Sequence, residues 1–287
     1  MSMSEKDRIA LDIRDALVKA SSTFTEDKKQ SYRDAISREE NPRSKWVLES
    51  ILENAIVAEQ HSSPLCDDTG IPHLFIEVGK NRQLSGEMLA SIHFGVELGL
   101  RELPGRPMAV RGDDSNRIDQ SQGLYEDSSA VVPAPLSVKL IDEDVIRVHI
   151  LMFGGGPDIR AKTYRVFHKH SLEAVIDEIV FWAKDSVSLL GCTPATLFIG
   201  VGRSHFEATS LMLEAQVYGR YSIQNEIELE ITRRVNDAHI GSLGLGGSTS
   251  ILATFLKIGP QRASGVRIVS MRPGCCFEPR LASVELL

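Results

Sequence analysis

All four cysteines of this chain stand beside turn-forming residues, at three stations far apart in sequence. Cys66 opens Cys66-Asp67-Asp68-Thr69-Gly70 within the run Ser63 to Pro72, Cys192 lies in Gly191-Cys192-Thr193-Pro194, and Cys275-Cys276 follows Arg272-Pro273-Gly274. Proline fixes φ and glycine opens positive φ, so these positions end apolar segments rather than continue them. Any fold must therefore place its thiols on turns. The first of these turns also carries two carboxylates and a hydroxyl on consecutive residues. The N-terminus, Met1 to Asp15, is charged and lacks the apolar core of a secretory signal, so a cytoplasmic location with reduced thiols is expected. Metal binding or catalysis then reads better than a disulfide framework.

With 287 residues, 42% of them hydrophobic and 25% charged, the chain can bury a full core. A formal net charge of −7 and the lack of a basic stripe argue against nucleic acid or an anionic membrane surface as partner. No run approaches the roughly 20 apolar residues of a membrane span. Small molecules and other proteins are the partners that remain.

Ile9, Ile13, Ala16 and Leu17, then Val47, Leu48, Ile51, Leu52, Ala55 and Ala58, recur at helical spacing and predict two helices before the Cys66 turn. Leu74 to Val78 reads as a strand ended by Gly79. Ser85 caps a helix through Leu100 that stops before Pro104. The polar stretch from Val110 to Ser128 reads as a long functional loop. Leu136–Leu140 and Val145–Leu151 alternate around Asp142-Glu143-Asp144 and predict an antiparallel hairpin leading to Gly154-Gly155-Gly156. Ser171 caps a helix striped by Leu172, Val175, Ile176, Ile179, Ala183 and Val187. A strand at 197–201, helices at about 206–217 and 223–236, the glycine-rich Gly244-Leu245-Gly246-Gly247 and strands at 251–258 and 266–270 complete the chain. No linker or repeat interrupts it, so residues 1–287 read as one α+β domain with a mixed, largely antiparallel sheet packed by helices.

A single buried cysteine is as often a small hydrophobe as a ligand. Three thiol stations on turns are harder to dismiss: soft sulfur suits an iron cluster, and three thiolates on a cubane leave one iron open as a Lewis acid. The same cysteines with His205 could instead hold zinc. Neither glycine-rich stretch is a dinucleotide or Walker fingerprint, so they read as tight turns or as backbone cradles for a small dicarboxylate. His205 and His239 flank glycine turns and read as structural, His168 and His170 as surface residues. No Gly-x-Ser-x-Gly elbow supports a serine nucleophile.

Taken in order, these motifs resemble the α, or N-terminal, portion of the iron–sulfur hydro-lyases, the class I fumarase and tartrate dehydratase family. Asn54-Ala55 followed by Pro64-Leu65-Cys66-Asp67-Asp68-Thr69-Gly70 is similar to that family's Asn-Ala helix and Pro-Ile-Cys-Gln-Asp-Thr-Gly signature. Gly154-Gly155-Gly156, Cys192-Thr193-Pro194, Gly200-Val201-Gly202, Gly244-Leu245-Gly246-Gly247-Ser248-Thr249, and Cys276 with Arg280 four residues later, match further motifs. The resemblance implies a 4Fe-4S cluster held by Cys66, Cys192 and Cys276, with Cys275 the alternative third ligand, and reversible dehydration of a 2-hydroxy dicarboxylate. It implies a catalytic Asp68 and substrate contacts from Asp67, Thr69, Arg111, Gly155 and Gly156. Asp67 replaces the family's glutamine, Gly156-Pro157-Asp158-Ile159 its Gly-Ser-Glu-Asn, Arg203-Ser204-His205 its Ile-Gly-Gly, and Arg262 stands near an expected histidine. These departures fall on substrate contacts. Nothing here resembles the family's C-terminal swivelling domain, so a smaller β subunit and an α₂β₂ assembly are expected, with an apolar patch near the cluster mouth. The alternative is a non-catalytic paralogue that keeps the fold.

Overall fold

A computed structural model describes residues 4–103 and 105–286; Met1 to Met3, Pro104 and Leu287, and the expectations that touch them, lie outside the described residues. In chain order the elements are α1 (Glu5–Ser22), α2 (Glu26–Arg38), α3 (Pro42–His61), β1 (Ile71–Gly79), α4 (Gly86–Glu102), α5 (Asp114–Asp119), β2 (Ser137–Ile141), β3 (Ile146–Phe153), α6 (Gly155–Asp158), β4 (Lys162–Phe167), α7 (Leu172–Ser188), β5 (Ala195–Gly202), α8 (His205–Tyr218), α9 (Glu226–Asn236), β6 (Ile251–Ile258), β7 (Val266–Gly274) and β8 (Leu281–Leu286). The described residues form two compact units: residues 4–23, 55–103, 105–154 and 280–286, and residues 24–54 and 155–279. The mixed, mainly antiparallel α+β class expected from sequence is observed.

In the first unit the sheet runs β2-β1-β3-β8, with β1 parallel to β2 and antiparallel to β3, and β3 antiparallel to β8. The two runs expected to form a hairpin, now β2 and β3, do not pair with each other. β1 lies between them. Its Leu74, Phe75 and Ile76 are buried on both faces, and such a strand satisfies its backbone groups best with a neighbour on each edge. The acidic connection passes over the end of β1 instead, where Gly79 N–H donates to Val145 O and Lys80 N–H to Ile141 O. α1, capped by Ser4, and α4, capped by Ser85, lay Ile9, Ile13, Leu17, Ile92, Val96 and Leu100 in the core beneath this sheet. The 110–128 loop contains α5, closed by a reciprocal capping box between Asp113 and Asn116, and is pinned by a bridge between Val110 and Leu124.

In the second unit the sheet runs β4-β7-β5-β6, antiparallel except for β5 and β6. Leu197 and Ile199 of β5 belong to one core with Ile176, Ile179 and Val187 of α7 and Ile231 and Val235 of α9. Phe198 points the opposite way and belongs to a second cluster with Met212 and Ala215 of α8. Gly200 and Gly202 let the α8 backbone rest on β5, since a Cβ at either would strike backbone atoms of residues 207, 208 and 212. Besides the short helices α5 and α6, which lie in stretches read as a loop and a turn, three elements escaped the sequence reading. The buried face of α2 is Lys28, Tyr32 and Ala35, spaced as a helix but not aliphatic. Only Val166 of β4 is buried, and β8 is short and follows Pro279.

Candidate active site

The Cys66 turn is built within the first unit. Ser63 N–H donates to Ala58 O at the end of α3, and Leu65 N–H to Ser21 O, so the chain enters the turn anchored on both sides. Asp68 Oδ1 accepts from Gly70 N–H at 3.1 Å, an Asx turn that needs the positive φ of Gly70, 84°. Beneath it lies Arg280, which is buried: its Nη1 donates to Asp68 O at 2.6 Å and Thr69 O at 3.2 Å, and its Nε to Met152 O at 3.1 Å. A Cβ on Gly70 would run into that guanidinium. The Asp68 carboxylate is half-buried, and the Thr69 hydroxyl donates to Arg106 O at 2.9 Å. Asp67 is exposed; its carboxylate accepts from the Cys66 thiol at 3.5 Å and meets Arg106 Nη1 at 3.4 Å. Sequence reading used Arg280 only as a landmark, and its grip on the turn has no local signature.

The other three cysteines belong to the second unit, and none of the four is in a disulfide. Cys192 is exposed, and its carbonyl accepts from Cys276 N–H at 2.9 Å, which joins two of the stations. Thr193 fixes the first of them by donating to Gly241 O at 2.6 Å. Cys275 is part of the unit's apolar core, whereas Cys276 lies outside that cluster. Burial, which alone would lower the Arg272 pKa, is outweighed by the Glu278 carboxylate, so this fully buried guanidinium stays charged, with Asp158 Oδ1 3.4 Å from its Nε. Two α2 side chains close on the same turn: Tyr32 OH donates to Cys276 O at 2.7 Å and Lys28 Nζ to Glu278 O at 2.8 Å. The Cys276 thiol is pushed well above the ordinary range, first by its hydrogen bond with Cys275 and then by burial, with Lys28 acting in the opposite direction. Burial also raises the Tyr32 phenol, which therefore remains a donor.

Gly155 and Gly156 form the first turn of α6, and a Cβ on Gly156 would meet open space. The second glycine-rich stretch does cradle an anion, but the anion is the chain's own. The Glu39 carboxylate accepts from Ser248 N–H at 2.9 Å, Thr249 N–H at 3.2 Å and the Ser248 hydroxyl at 3.1 Å. Those amides are therefore not open to a dicarboxylate. Arg111 is exposed and donates through Nε to Gln122 O at 3.1 Å. His168, expected at the surface, is part-buried and held between Ser264 O and His170 N–H, whereas His170 is exposed. Among the described residues, no group of three or more His, Cys, Asp or Glu side chains is gathered closely enough to hold a metal ion.

The model of the fumarate hydratase (Fumerase) family matches residues 11–285. The chain belongs to that family. Its members are hydro-lyases, and membership makes this chain a hydro-lyase. Individual relatives also match over most of the length. Over 266 residues the chain is 27% identical to a Methanocaldococcus jannaschii protein named "Putative L(+)-tartrate dehydratase subunit alpha", covering 88% of this chain and 87% of the relative. Over 254 residues it is 24% identical to the L(+)-tartrate dehydratase subunit alpha of Escherichia coli strain K12, covering 87% and 80%. No helix among the described residues is long and apolar enough to cross a membrane.

Proposed function

We propose that this chain is the α subunit of an iron–sulfur hydro-lyase that reversibly dehydrates a 2-hydroxy dicarboxylate of the malate or tartrate kind. The observation that carries this reading is the family match over residues 11–285, joined to cysteines outside any disulfide on the three motif turns. Thiolates on turns are a suitable donor set for a 4Fe-4S cluster, and Cys66, Cys192 and Cys276 would hold it. Cys276 is preferred over Cys275 because the latter is part of the apolar core while the Cys276 amide is bonded to Cys192. When bound, such a cluster supplies an open iron as a Lewis acid toward the substrate hydroxyl.

The remaining roles fall to the chain's own groups. Asp68, its backbone gripped by Arg280, holds or releases the proton at its carboxylate as the acid/base residue. Asp67, paired with Arg106, tunes substrate preference. Thr69 acts through its hold on the Arg106 carbonyl, and Arg111, Gly155 and Gly156 contribute cation and amide contacts to substrate. Residues 1–287 work as one catalytic domain in the cytoplasm, where thiols stay reduced. The names of the relatives, each a subunit alpha, support a β partner, and an α₂β₂ assembly is the form we assign.

The test is anaerobic reconstitution with iron and sulfide, followed by dehydration assays on malate and on the tartrate stereoisomers, with and without the β partner. Brown colour with about four irons per chain, lost on Cys66→Ser or Cys192→Ser, is expected. A chain that stays colourless, or binds one zinc instead, sinks the proposal.

A further inference from the structure

The turn after β7 is held by a buried cation. Lys28 is 1% exposed, and Tyr32, one helical turn further along α2, is wholly buried. Neither side chain reaches solvent. The Lys28 ammonium sits 4.0 Å from the centre of the Phe24 ring and donates to the Glu278 carbonyl, two residues beyond Cys276. Phe24 stacks in turn on Tyr32, with ring centres 5.6 Å apart, and packs against Phe277 at 6.3 Å. Glu278 N–H closes the turn by donating to Cys275 O at 2.8 Å.

Burying an ammonium is costly, because an isolated charge loses several kcal/mol of solvation on leaving water. A core that needed only volume here could use leucine or methionine at position 28. A hydrogen-bond donor for one carbonyl could equally be neutral. What distinguishes lysine is its charge, fixed within a turn whose thiol would be a thiolate when ligating. A four-iron cluster bound by three thiolates carries net negative charge in a low dielectric, and a positive charge nearby stabilises it in both oxidation states, the reduced one more.

We propose that Lys28 is a positioning residue for the third cluster ligand, holding the Cys275–Glu278 turn together with Tyr32 and placing a fixed positive charge beside the Cys276 thiolate. This rests on the reading of Cys276 as a ligand. Tyr32 supplies the neutral half of the clamp, through its bond to the Cys276 carbonyl.

The experiment compares wild type with Lys28→Gln and Lys28→Met, each reconstituted anaerobically. Gln keeps a donor for Glu278 O and removes the charge; Met removes both. Readouts are iron content, the cluster's reduction potential followed by electron paramagnetic resonance, colour loss in air, and melting of the cluster-free protein. Lys28→Gln is expected to load iron and melt near wild type, yet to show a reduced-to-oxidised ratio at fixed potential lower by about tenfold, which is 59 mV for one electron. Its colour should also bleach faster in air. Lys28→Met should show the same potential shift and a lower melting temperature. A Lys28→Gln protein whose potential and bleaching rate equal wild type overturns the inference and leaves the cluster reading intact. Loss of the melting transition in both cluster-free variants also overturns it, reducing Lys28 to a core group. A wild-type chain that takes up no iron overturns the cluster reading, and this inference with it.

Discussion

Arg280→Met tests the architecture of the Cys66 turn. The guanidinium donates to the carbonyls of Met152, Asp68 and Thr69, and the Met152 and Thr69 bonds are fully buried. Methionine preserves much of the apolar stem, so the change isolates the donors. A buried carbonyl that loses its partner costs roughly 1–3 kcal/mol, and bonds from a charged donor lie at the upper end. The Asp68 carbonyl is only part-buried and regains water. Two buried carbonyls at about 2–3 kcal/mol each, plus a smaller contribution from the third, give a loss of about 4–7 kcal/mol. Because the described residues form two compact units, a single unfolding transition is not assumed. Amide hydrogen exchange is the better assay. The expected result is a large loss of protection at the Gly70 amide, which Asp68 Oδ1 holds only while the turn keeps its shape, and at residues of β3 next to Met152. Arg280→Lys should recover part of it, since one ammonium cannot span three carbonyls. If Arg280→Met leaves Gly70 protection and urea stability within 1 kcal/mol of wild type, taken as about the smallest change that separates a lost buried bond from none, the clamp is not what shapes this turn.

Asp68→Asn retains an oxygen for the Gly70 amide, so it should keep iron and colour while lowering turnover by about 10²–10⁴; iron loss would make the residue structural. Glu39→Ala leaves the Ser248 and Thr249 amides without their carboxylate and should cost roughly 2–4 kcal/mol in urea denaturation. A near-neutral result would mean that water replaces Glu39. The Asp127 carboxyl is held well below the usual carboxylate range, first by the hydrogen bonds from Arg101 and then by Ser129. A depressed folded-state pKa contributes stability that is present above the unfolded value, near 4, and lost as pH falls through the folded one. The melting temperature of Asp127→Asn should therefore trail wild type most at neutral pH, with the gap closing in acid. A gap that stays constant to low pH would contradict that assignment.

Residues with an aliphatic stripe were legible from sequence because periodicity is local: α1 buries all four positions that its spacing marks, and α4 and α7 bury most of theirs, although Leu172 at the start of α7 stays exposed. α2 was not legible, since a lysine and a tyrosine on its inner face read as surface until their distant acceptors are known. The β2–β3 hairpin failed for a related reason. Alternation marks a strand but not its neighbour, and β1 competed successfully for both edges.

The sequence by itself determined that thiols would stand on three turns, that Asp68 would share a turn with Cys66, and which order of motifs marks a hydro-lyase. Only the tertiary structure decided what holds those turns. Arg280 reaches a carbonyl 212 residues away, Lys28 one 250 residues away and Tyr32 one 244 residues away, while Glu39 occupies amides that a glycine-rich motif seemed to keep for substrate. In each case one partner is a backbone group, which every residue possesses, so no pattern of side chains announces it. The other is a polar or charged side chain, whose burial becomes affordable only when the fold brings that backbone group within hydrogen-bonding distance.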